Sequence, residues 1–266
     1  MRIRQTLARS IYAGLGAVML AIGLTPIAPA RAADQVDLEL VLAIDVSRPM
    51  DGDEQEVARR GHVAAFRDPE VIQGILAGIS RKIAVTYVEW SDPGVQTVVV
   101  PWTIIDSAAS ANAFADALQK APLQWLRSTS MSDALLFSAN LFDKAGVTSP
   151  RRTIDVSGNG PNNAGVPVTQ ARDSVAAKGI TINGLPIDLG PREAVITNLS
   201  DYYRQCVIGG PEAFLVSINQ LSQLPSAIRR KLLAEIASID VPQVIHAQAG
   251  APVDCMIGEK IGTRFR

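Results

Sequence analysis

What most constrains this chain is the alternation of apolar runs with stretches of helical period from Leu38 to Ile187. The apolar run Leu38 to Ile44 suits a strand covered on both faces. Helical spacing follows over Asp53–Phe66 and Pro69–Ile79, broken at Asp68-Pro69. Lys82–Trp90 and Val95–Trp102 read as strands, and the Asp92-Pro93-Gly94 turn between them predicts a hairpin. Ser107–Gln119 reads as a helix with Ser107 as N-cap, and Ser130–Lys144 as another. Arg152–Val156 is a strand closed by a Ser157–Gly160 loop, Val168–Ala177 a helix stopped by Gly179, and Ile180–Ile187 a strand. This order predicts an α/β, doubly wound, mostly parallel sheet with helices on both faces and one antiparallel edge hairpin.

Beyond Pro191 the pattern changes. A short helix (Asn198–Cys206), a last strand (Phe214–Ile218) and an amphipathic helix (Leu224–Ser238) are expected, followed by a looped tail from Gln243. Arg229, Arg230 and Lys231 on that helix read as a solvated face. The expected division is therefore 1–32, 33–190 and 191–266: a leader, an α/β core, and a C-terminal extension packed on the same domain.

The leader is read from Arg2, Arg4 and Arg9, an uncharged apolar stretch from Ser10 to Ala30, and the small-residue site Ala30-Arg31-Ala32. The stretch would also span a bilayer, at roughly 20 residues, as an uncleaved anchor. Pro26, Pro29 and the cleavage site favour removal. The mature chain is then periplasmic or secreted and has no membrane span. Loss of four leader arginines takes the formal charge from −1 to −5, and no basic run remains, which argues against nucleic-acid binding. In an exported chain the only two cysteines, Cys206 and Cys255, read as a disulfide; two free thiols are the alternative. With two distant histidines, His62 and His246, they make no zinc pattern.

Asp45 and Ser47, two apart at the end of the first long strand, can aim oxygen ligands at one point above the sheet edge. Ligands of open α/β sheets bind outside the carboxyl ends of the strands, and oxygen-only ligation suits Mg²⁺, Ca²⁺ or Mn²⁺. The plainer reading is that these residues cap a helix or order their own loop. Asp155, mid-strand, is either a buried acid or an edge residue. Glu89, Trp90 and Trp102 sit on the hairpin, where the tryptophans read as packing with an exposed binding patch as the alternative, and His62 reads as packing or surface. No G-x-S-x-G elbow, P-loop or G-x-G-x-x-G fingerprint is present, so the expectation is a non-enzymatic protein.

The stretches VLAIDVS, TYVEWSDP, STSMSDAL, RTIDVSGNGPNN and YYRQCVIGGPEAF resemble those of DUF1194, exported bacterial proteins similar to von Willebrand factor A (vWA) domains. The resemblance implies a vWA fold and a metal-ion-dependent adhesion site built from Asp-x-Ser-x-Ser, a Thr and an Asp on three loops. Asp45, Ser47 and Thr129 match. Pro49 stands where the second Ser is expected, and Asn159 where the Asp is expected. The site is therefore degenerate, with one carboxylate in place of two, and Mg²⁺ or Ca²⁺ binding is expected to be weak or absent. Asp51, Asp53 and Asp133 are nearby acids that could compensate. The implied role is recognition of a protein partner through the loops Asp45–Asp51, Arg127–Ser130 and Ser157–Asn163. The alternative is a scaffold protein with a decayed metal site and its interaction surface elsewhere.

Overall fold

A computed structural model describes residues 34–47, 50, 52–123, 128–189, 196–237, 245–246 and 252–264. The expected leader, Pro49, Asp51, Arg127 and Pro191 lie outside the described residues. Ala33–Arg266 forms one compact unit.

A two-residue strand, Asp34–Gln35 (β1), precedes the apolar run, which forms Glu39–Asp45 (β2). Gly52–Arg67 (α1) and Pro69–Leu76 (α2) follow. The break between them is set by Asp68, whose carboxylate accepts from the Glu70 and Val71 N–H groups, with proline at the first helical position. Ile83–Trp90 (β3) and Gln96–Ile105 (β4) form the expected antiparallel hairpin, with Gly94 at φ 74° in its turn. Ala108–Lys120 (α3) starts with a capping box between Ser107 and Ser110. Then come Met131–Leu141 (α4), Val147–Thr148 (β5), Arg152–Gly158 (β6), Val168–Ala176 (α5) and Thr181–Pro186 (β7). Leu199–Tyr202 (α6) runs on into a π-helical turn, Tyr203–Val207. Phe214–Leu215 (β8), Leu224–Ala237 (α7), Ile245–His246 (β9) and Ile257–Arg264 (α8) complete the described elements.

The main sheet has the order β4-β3-β2-β6-β7-β8-β9, with β3, β2, β6, β7 and β8 parallel. A second antiparallel pair, β8 with β9, closes the other edge, and β1 pairs with β5 apart from the sheet. Alternation along β2 explains why both faces are covered. Leu40, Leu42 and Ile44 pack with α1, α2, α3 and α7, while Val41 and Ala43 pack with α4, α5 and α6. The chain leaves β2 for β3 on one side and leaves β6 for β7 on the other. The crevice outside the carboxyl ends of β2 and β6 is therefore the topological switch point of the sheet.

Two expectations for the C-terminal part are corrected. The tail is not all loop, since β9 and α8 lie in it. Arg229 and Lys231 do not form a solvated face. Lys231 is fully buried between the carboxylates of Asp155, at 2.7 Å, and Glu235, at 2.6 Å. Arg229 bridges Asp68 and Glu70 of the α2 start. Asp155 is thus a buried, ion-paired acid. His62 is also buried, with its Nδ1 on the Ala58 carbonyl and its ring edge-on to Tyr87. Trp90 is buried and Trp102 packs on Phe142.

Candidate functional site

Strand β2 delivers Asp45 to the switch point, and the backbone turns at once because Asp45 Oδ1 accepts the Ser47 N–H at 2.8 Å. That turn points the Ser47 hydroxyl at the loop before α4, where Ser47 Oγ and Thr129 Oγ1 lie 3.0 Å apart. Thr129 is held on both sides of its peptide: its N–H donates to Asn163 Oδ1 at 3.1 Å, and its carbonyl accepts the Asn163 N–H at 2.9 Å. Asn162 adds a second tie, accepting the Ser132 N–H at 2.9 Å. The two asparagines, which as sequence are ordinary turn residues, therefore fasten the loop after β6 to the loop before α4.

Strand β6 ends beside Asp45. A Cβ on Gly158 would lie 2.8 Å from Asp45 Oδ2 and 3.1 Å from the Tyr203 hydroxyl, so only glycine lets the strand approach this closely. Asn159 then turns inward, and its Nδ2 donates to Glu54 Oε2 at 3.0 Å. Of the four expected ligands, Asp45, Ser47 and Thr129 stand together at one end of the crevice. Asn159 is the residue after Gly158, which packs on Asp45, and its own side chain meets Glu54.

Glu54, in the first turn of α1, is the residue that sequence reasoning missed. Of the acids named as possible substitutes, Asp53 is exposed and Asp133 accepts from the Gly94 N–H at 3.0 Å on the hairpin turn, while Asp51 lies outside the described residues. The available signal was position, since Glu54 lies one turn into a helix that starts at the first loop. Its inward direction depends on how α1 packs.

The site is sealed. Asp45 and Ser47 are 0 % exposed, Thr129 1 %, Glu54 and Asn159 5 %. Burial pushes the Asp45 carboxyl up to about 7; hydrogen bonds from Ser47 work against this, and the nearby Glu54 adds to it. Asp45 Oδ2 is buried with no hydrogen-bond partner. An orphaned acceptor of this kind is costly in a protein interior. Asp45, Ser47 and Thr129 present a carboxylate and two hydroxyls, all oxygen donors. This set fits a hard divalent cation. Among the described residues no group of three or more His, Cys, Asp or Glu is placed to hold a metal, so a cation here would depend on the hydroxyls of Ser47 and Thr129. The expected disulfide is formed between Cys206 and Cys255, with Cα atoms 5.5 Å apart.

Solved structures with the same architecture are distant in sequence. The chain is similar to proximal thread matrix protein 1 from the mussel byssus (14 % identity, TM-score 0.54, 77 % of this chain and 50 % of that one). It is also similar to a von Willebrand factor type A protein from Catenulispora acidiphila (17 %, 0.53, 76 % and 43 %) and to the pilus adhesin SpaC from Lactobacillus rhamnosus GG (12 %, 0.57, 77 % and 31 %). The chain thus spans half or less of the length of these proteins. No curated protein sequence matches it. No helix among the described residues is long and apolar enough to cross a membrane. The vWA architecture is shared with these structures, and a model of the family described as "Protein of unknown function (DUF1194)" matches residues 35–240; the chain belongs to that family.

Proposed function

We propose that this protein is an exported, non-enzymatic binding module that recognises a protein partner through the loops at the carboxyl edge of its sheet. The observation that carries this reading is the convergence of Asp45, Ser47 and Thr129 at the switch point, with Asp45 Oδ2 left without a partner. Mg²⁺ or Ca²⁺ is the proposed cofactor. One of the similar mussel structures has a MIDAS motif occupied by zinc, and another similar chain is a pilus adhesin; these support a binding role at this edge. The leader-like N-terminus and the disulfide support export to the periplasm or beyond.

Thermal unfolding in chelator and in millimolar Mg²⁺, Ca²⁺ or Mn²⁺, for the wild type and Asp45→Ala, tests the cation. Ligand at 100 times its dissociation constant adds about 2.7 kcal/mol, which for a domain of this size is a shift of several degrees. The expected result is a shift in the wild type that Asp45→Ala lacks. Partner recognition is read separately, by comparing what wild type and Asp45→Ala retain from exported proteins of the source cell. Equal retention by a folded Asp45→Ala would sink the reading.

The sealing of the site favours a second reading, a scaffold protein whose decayed metal site only orders its loops. On that reading Asp45→Ala leaves partner binding intact.

A further inference from the structure

The family pattern places its second carboxylate on the loop after β6, where this chain has Asn159. Asn159 does not leave that position without charge. Its amide reaches 105 residues back along the chain and donates to Glu54, holding a carboxylate from α1 at the β6 loop. We propose that Glu54 is the second carboxylate ligand of a divalent cation held by Asp45, Ser47 and Thr129, so that the charge supplied in the family by the third loop comes here from helix α1. This rests on the cation reading of the site given above and names the ligand that makes that reading work.

Three observations carry it. The first is burial. An acid in the first turn of a helix is favoured by the helix dipole even when it stays in water, as the exposed Asp53 does. Glu54 in the same turn is instead 5 % exposed and accepts a hydrogen bond from Asn159 beyond β6. The second is charge. Glu54 Oε2 lies 3.0 Å from Asn159 Nδ2, and the preceding residue, Gly158, packs on Asp45 Oδ2, so both carboxylates border the end of β6. Two carboxylates buried at one strand end repel and are poorly solvated, and a cation between them relieves both costs. The third is the Asp45 Oδ2 acceptor, fully buried, without a partner, and packed against the bare Cα of Gly158, the residue before Asn159. The unfilled acceptor and the carboxylate held by Asn159 thus both lie at the same end of β6. With Ser47 Oγ and Thr129 Oγ1 alongside, the set has two charges and at least four oxygens, as many charges as the intact family site. Pro49 and Asn159 are then departures that the chain has compensated for, at least in charge.

Mn²⁺ is the probe. Its binding to the protein is followed by loss of the free-ion electron paramagnetic resonance signal, which does not depend on any partner or activity. Wild type is expected to bind one Mn²⁺ that Asp45→Asn does not bind. Glu54→Gln, of the same size, should weaken binding by about tenfold or more. Asp53→Asn, one residue away and exposed, should leave affinity within about twofold. The double variant Glu54→Gln with Asn159→Asp returns the carboxylate to the third loop and should recover affinity. Melting in chelator checks that each variant is folded. If Glu54→Gln itself fails to fold, the decisive variant is Glu54→Asp, a shortened carboxylate, which should bind Mn²⁺ measurably more weakly than wild type; unchanged affinity overturns the proposal. Wild-type affinity in a folded Glu54→Gln, with loss in Asp45→Asn, overturns the role of Glu54 and leaves the cation site standing. No Mn²⁺ bound by the wild type overturns the cation site and Glu54 together, while recognition of a partner stands or falls on the separate Asp45→Ala comparison.

Discussion

At the scale of single residues, buried carboxylates mark this protein. Glu39 opens β2 opposite Arg152 of β6 and is 3 % exposed. Burial pushes its carboxyl up to about 7, against a smaller opposite pull from Arg152. The folded chain therefore holds this proton more tightly than the unfolded chain does. Between about 4.5 and about 7 the Glu39 contribution to stability falls as the pH rises, and above that range the whole penalty is present. Glu39→Gln is expected to stabilise the protein at pH 8 by on the order of 1–3 kcal/mol, with the gain shrinking toward zero near pH 4.5. Urea unfolding of both proteins across that range checks it, and a gain that does not depend on pH would rule out the ionisation as its cause.

At the scale of elements, α7 is bolted to the sheet by charge as well as by apolar packing. Lys231 Nζ lies between Asp155 on β6 and Glu235 one turn on, and 5.4 Å from the centre of the Phe214 ring. Asn183 on β7 donates to Glu235 at 3.1 Å and accepts the Phe214 N–H at 3.0 Å, so the network joins β6, β7, β8 and α7. Removing the cation would strand two buried acids. Lys231→Met is expected to cost about 3–5 kcal/mol, although methionine fills much of the same space. The deficit should lessen as the pH drops, because burial and the nearby Asp155 already hold the Glu235 carboxyl near 7 and it then takes up a proton. Denaturant midpoints at two pH values measure both effects. As sequence, Lys231 and Glu235 are an i, i+4 pair of the kind found on solvated helices; only the position of Asp155 beneath the helix reverses that reading.

At the scale of the whole molecule, the disulfide brings the end of the chain back to the candidate site. Cys255 joins Cys206 in the turn after α6, and α8 follows immediately. Gly258 sits so close to the loop after β6 that a Cβ would lie 2.0 Å from the Asn162 carbonyl oxygen. Glu259 accepts from Asn162 Nδ2 at 2.8 Å, the same asparagine that fastens the loop to α4. Closing a loop with a sequence separation of 49 is worth about 4 kcal/mol on chain-entropy grounds. Cys255→Ser should lose stability of that order and release α8, seen as faster amide exchange in α8 and at Asn162–Ala164. Slow exchange at both places in the variant would mean that the packing of α8 holds without the bond.

What the sequence determined by itself was set by short-range rules. Period and turn chemistry placed the long strands β2, β3, β4, β6 and β7, the Asp92–Gly94 hairpin and the Ser107 cap, because each depends on residues within a few positions. The spacing Asp45-x-Ser47 was legible for the same reason, whereas Thr129 was singled out only by the resemblance to DUF1194. Glu54, Asn162, Asn163 and Lys231 were not legible, because each takes its role from a partner far along the chain: Asn159, Ser132, Thr129 and Asp155. A side chain with polar atoms reads as solvated until the fold encloses it. Whether it then becomes a strut, a ligand or a penalty is decided by which groups tertiary packing brings within hydrogen-bonding reach.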